Sequence, residues 1–105
     1  MPVSTQVTGL RGDQITLDRG RNAGVLTDDP FILFKYDGGF VDPIAVAIAK
    51  PSSESSIAKI VKWKKTDIAD DLKKKAAKGI YRPTRGEQIF AVSIGLPSSY
   101  LKTKM

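Results

Sequence analysis

Neither cysteine nor histidine occurs among the 105 residues. Without cysteine there is no disulfide framework, no thiolate metal site and no thiol nucleophile. Without histidine the chain lacks the commonest metal ligand and the one side chain whose ordinary pKa lies near neutrality. Serine–histidine and cysteine–histidine catalysis are excluded with them. Aromatic residues are few, with one tryptophan, and no apolar run reaches the roughly 18 residues of a membrane-spanning helix. The opening Met1-Pro2-Val3-Ser4-Thr5-Gln6 has neither the basic nor the apolar stretch of a secretory signal. A chain free of cysteine suits the cytoplasm and the periplasm equally.

What is present is ordinary globular composition, 41% hydrophobic and 27% charged, which argues against disorder. The length fits one domain with one modest core and no deep enclosed pocket. Charge is divided unevenly. Residues 1–54 hold 5 Lys/Arg and 7 Asp/Glu, a balance of −2; residues 55–105 hold 12 and 4, a balance of +8, and the two sum to the net +6. Such asymmetry marks either an anionic partner or a solvated, lysine-rich face.

Period-2 alternation over Gln6–Leu10 and Gln14–Asp18 predicts two strands, and Arg11-Gly12-Asp13 between them a hairpin turn. The tripeptide also spells an integrin-recognition sequence, a match too short to outweigh the turn. Gly20 and Gly24, in the irregular stretch before Pro30, are expected to take backbone angles closed to other residues. Phe31–Tyr36 reads as a central strand, Asp37-Gly38-Gly39 as a turn, and Ile44–Ala49 as a strand with an alanine face for close packing. Ile57–Trp63 and Gln88–Ile94 supply two more strands. Over 67–78 the spacing of Ile68, Leu72 and Ala76 predicts a helix, capped by Asp67, with lysines near its C-terminus and Gly79 ending it. The expected architecture is mostly β: an SH3-like barrel of about six strands with one inserted helix, residues 1–94, followed by a flexible tail, 95–105.

The phrase from Val7 to Val25, with a Gly-Asp turn, a strand ending Leu17-Asp18-Arg19-Gly20 and then Gly24-Val25, resembles the C-terminal β-domain of flagellar assembly protein T. It is also similar to the rod-shape-determining envelope scaffold family. Ser56-Ile57-Ala58 and Gly86-Glu87-Gln88-Ile89 approximate two further landmarks of such domains. The chain departs from them at Asp28-Asp29-Pro30, where a glycine is usual, and in carrying the helix in place of a short loop. The resemblance implies a non-enzymatic assembly module of the bacterial envelope or a flagellar-type machine, periplasmic or in the envelope if the chain is part of a longer protein.

No catalytic, cofactor or metal site is expected. Asp28-Asp29 and Asp70-Asp71 are carboxylate pairs, but neighbours diverge on a strand or helix and do not face each other as acid–base work requires. Gly38-Gly39 lacks the lysine and hydroxyl of a phosphate loop. The candidate site is a basic surface for an anionic partner: Lys62, Trp63, Lys64, Lys74, Lys75, Lys78 and Arg82. Lys74, Lys75 and Lys78 are expected to project to solvent. A protein partner or assembly is the first expectation; nucleic acid, with Trp63 stacking on a base, is the alternative, and a membrane surface a further one. No small-molecule substrate is expected.

Overall fold

Gly12 decides the first turn. In the computed structural model, whose described residues are 3–37 and 39–94, β1 (Ser4–Arg11) and β2 (Gln14–Leu17) join through Gly12 and Asp13 alone. Positive φ falls on Gly12 (+59°) and not on Asp13, the pattern of a II′ turn, whose twist matches that of the strands. The Arg-Gly-Asp tripeptide is thus the hairpin turn. β3 (Asp29–Asp37) and β4 (Phe40–Pro51) form a longer hairpin turning at Gly39, φ +88°. β5 (Ser56–Trp63) pairs with β4 and β2, and β6 (Ile89–Ser93) pairs with β3 and β1.

The order β1-β2-β5-β4-β3-β6 closes on itself with every pairing antiparallel. This is the small SH3-like barrel with one helix that the strand spacing predicts. Three register shifts, at Val7/Gly9, Leu33/Phe34 and Val46/Ala47, add the bends a small barrel needs to close. Inward positions alternate large and small. Ala45, Ala47 and Ala49 on β4, with Ala58 and Ala91, leave room for Phe31, Leu33, Ile15 and Leu17. The alanine face of β4 is therefore the barrel interior.

Among the described residues three polar side chains are buried, each hydrogen-bonded: Ser93 Oγ accepts from Val3 N–H, Thr5 Oγ1 donates to Asp18, and Ser56 Oγ donates to the Arg19 carbonyl. Gly24 has the expected positive φ, but Gly20 does not. A Cβ at Gly20 would lie 2.2 Å from the Ser52 carbonyl oxygen and 2.6 Å from that of Ser55, so space demands this glycine.

The helix α1 (Asp67–Ala77) follows β5. Its N-cap is Thr66 and not Asp67: the Thr66 hydroxyl accepts from Ala69 N–H at 3.2 Å. Asp67 and Asp70 then stand in the first turn, where the dipole favours acids. The buried stripe is Ala69, Leu72 and Ala76, with Ile68 half-buried at its edge. Lys78 ends the helix and Gly79 follows at φ +147°. Residues 95–105, expected to be a flexible tail, lie outside the described residues.

Candidate docking surface

The helix returns its C-terminus to the first hairpin. Gly12 N–H donates to the Ala76 carbonyl at 2.9 Å, satisfying one of the orphan acceptors of the last turn. The chain then lies beside β1, where Leu10 and Tyr81 exchange backbone hydrogen bonds of 2.8 Å in both directions. These two contacts create adjoining open grooves that share Arg11 and Gln14. One runs past Lys78, the other past Thr8, Thr16, Ile80 and Arg82. Gly9 floors the second: a Cβ there would press the Thr16 hydroxyl at 3.1 Å. Thr8 and Thr16 hydroxyls pair at 2.9 Å along its wall.

Arg11, Lys78 and Arg82 are exposed, and among the described residues none of the three has an ion pair or side-chain hydrogen bond. Guanidinium groups so placed can grip carboxylate or phosphate with two parallel hydrogen bonds. Asp13, on the rim, is engaged by Lys59 at 3.9 Å.

Of the residues predicted from sequence, the fold brings Lys78 and Arg82 to these grooves. Lys62, Trp63, Lys64, Lys74 and Lys75 line neither. Lys62 and Lys64 are exposed near the end of β5, where Lys64 N–H donates to the Ile44 carbonyl. Lys74 is exposed on the helix. Trp63 stands opposite Ala45 and is half-buried against the core, so its ring serves packing.

Lys75 is committed to a network. It pairs with Asp71 at 3.1 Å and Glu87 at 3.7 Å, and lies over the Tyr81 ring at 5.2 Å. Tyr81 donates to Glu87 at 2.7 Å, and Lys35 approaches the same carboxylate at 3.9 Å. The Asp71 hydrogen bond raises the Lys75 pKa. The Tyr81 hydrogen bond, helped by Lys75 and Lys35, holds Glu87 below its ordinary value, while burial first and Glu87 second push Tyr81 up. The expectation of three freely projecting helix lysines therefore holds for Lys74 and Lys78 alone.

Sequence reasoning missed Arg11, a residue far from the basic half that only the hairpin brings to Lys78 and Arg82. Among the described residues no group of His, Cys, Asp or Glu is arranged to hold a metal, and no helix is long and apolar enough to cross a membrane. Set against known families, curated proteins and solved structures, the chain matches none.

Proposed function

We propose that the chain is a non-enzymatic binding or assembly module that docks an anionic partner on the grooves bounded by Arg11, Lys78 and Arg82. The observation that carries this reading is that three cations, none neutralised within the described residues, converge on one surface. Lys35, Lys59 and Lys75 have acidic partners within the protein, and the exposed Lys64, Lys65, Lys73 and Lys74 line neither groove. The barrel interior, filled by side chains of Phe31, Leu33, Ile44 and Ile89 at no more than 1% exposure, serves as scaffold.

An acidic protein surface is the partner this chemistry favours, in an assembly of the bacterial-envelope or flagellar type that the resemblance of residues 7–25 suggests. Nucleic acid is the second reading, and the two guanidinium groups favour it. The placement of Trp63 weighs against it, because the ring that would stack on a base is packed on the core.

The two are separated by binding a poly-glutamate peptide and a single-stranded oligonucleotide of equal charge across a salt series. The module reading predicts poly-glutamate binding that weakens with salt and falls about tenfold or more when Arg11, Lys78 and Arg82 are all replaced by Gln. Binding of the oligonucleotide alone, with a steep salt slope, would establish the second reading. Binding of neither at low salt overturns both.

A further inference from the structure

Arg82 owes its place in the groove to its neighbour. Residues 79–83 belong to no strand or helix, and among the described residues Tyr81 is their one backbone anchor, through the two 2.8 Å bonds it exchanges with Leu10. Ile80 and Arg82 line the groove, whereas the Tyr81 ring packs half-buried against the core. On the groove side nothing comparable holds the segment. Ile80 is 56% exposed, and Arg82 is unpaired among the described residues. A stretch with one backbone attachment and exposed side chains belongs to the least stable parts of a fold. Its position is therefore only as fixed as Tyr81.

Tyr81 is held from behind by several elements. Its hydroxyl donates to Glu87 Oε2 at 2.7 Å, a length typical of the stronger bonds to a charged acceptor. Glu87 comes from the 3₁₀ turn Arg85–Glu87, just before β6. Lys75 of α1 lies 5.2 Å from the ring centroid and 3.7 Å from the same carboxylate oxygen, with Asp71 holding it at 3.1 Å. Lys35 of β3 approaches that oxygen at 3.9 Å. Helix, 3₁₀ turn and barrel wall thus meet on one tyrosine.

We propose that Tyr81 is the positioning residue of the docking groove, a role that rests on the groove being the site of anion docking. Its hydroxyl, fixed by Glu87, holds the wall carrying Ile80 and Arg82 at its spacing from Thr8 and Thr16. Tyr81 itself lines neither groove, so it acts through Arg82. Lys78 is placed independently, by the end of the helix, where Gly12 N–H holds the Ala76 carbonyl at 2.9 Å.

The test is poly-glutamate binding by the full chain at low salt. Tyr81→Phe keeps the ring and the net charge and removes the hydroxyl. It should weaken binding at least about threefold, with an unchanged circular dichroism spectrum. In an Arg82→Gln background the same replacement should have no further effect, whereas in a Lys78→Gln background its full effect should remain. A tyrosine that merely stabilised the fold would act alike in both. Two variants of Glu87 with equal charge give a second readout, which also serves should Tyr81→Phe unfold. Glu87→Gln keeps an acceptor for the hydroxyl and Glu87→Leu does not, so the Leu variant should bind at least about threefold more weakly than the Gln variant. Binding indifferent to Tyr81→Phe, equal losses in the Arg82 and Lys78 backgrounds, or equal binding by the two Glu87 variants overturns the positioning role and leaves the groove reading intact. Absence of poly-glutamate binding by the unaltered chain overturns the groove reading, and the positioning role with it.

Discussion

Gly20 shows how one missing side chain can fix the path of two loops. Arg21 N–H donates to the Ser52 carbonyl at 2.8 Å and Asn22 N–H to that of Ser53 at 2.9 Å, so the 3₁₀ turn at Arg21–Ala23 is strapped to the loop after β4. The strap requires backbone to pass where a Cβ would sit. Gly20→Ala should cost about 1–3 kcal/mol in a denaturant titration, from overpacking against backbone that cannot rotate away. Glu87 is the residue through which pH acts on the fold. Its folded pKa is lowered, by the Tyr81 hydrogen bond first, from an ordinary value of 4.5. The unfolded chain therefore takes up this proton at higher pH. The stabilisation is complete above the unfolded value and is lost as pH falls through the folded one. Tyr81, raised from 10.0 mainly by burial, acts in the opposite sense: its contribution is complete below that value and lost as pH rises through the folded pKa. Glu87→Gln should flatten the acid limb of the stability profile. At neutral pH it should cost under about 1 kcal/mol, since the carboxylate is partly exposed.

The helix is the element on which the candidate site depends, because its last turn and the chain beyond it supply Lys78 and Arg82. It is held by Leu72, 2% exposed between Ala69 and Ala76. Leu72→Ala should cost about 2–4 kcal/mol by urea denaturation. A cost under about half a kcal/mol would show that the helix stands off the barrel. Much at this scale was legible in the sequence. Apolar spacing, first-turn acids, C-terminal lysines and Gly79 all pointed to the helix; period-2 alternation gave the first two strands, and apolar, β-branched runs between turns the other four. The cap was displaced by one residue because Thr66 and Asp67 are both capable oxygen acceptors, and only the entry angle of the chain chooses between them. The outward side of β3, where Ile32, Phe34 and Tyr36 stand outside the core cluster, left a readable trace as well. Phe31 to Tyr36 is apolar at almost every position, whereas an antiparallel strand with one solvated face should alternate. Reading that run simply as a central strand left its inward and outward faces undistinguished.

Across the whole molecule, the site depended on contacts no local pattern reveals. Arg11 and Arg82 are 71 positions apart (82 − 11) and line one groove because Leu10 and Tyr81 bond backbone to backbone. Lys75 looked like its neighbours Lys73 and Lys74, yet Asp71, Glu87 and Tyr81 surround it. Net charge located the basic half correctly but could not separate cations spent on internal pairs from those left to meet a partner. The central claim is that an anionic partner docks where Arg11, Lys78 and Arg82 converge. Its most direct test is an amide chemical-shift titration of the folded chain with poly-glutamate at low salt. The account predicts the largest shifts at Gly9, Arg11, Lys78 and Arg82, with little change at Lys64, Lys65 and Lys73. Shifts spread evenly over all lysines and arginines, or no shifts at all, would contradict it.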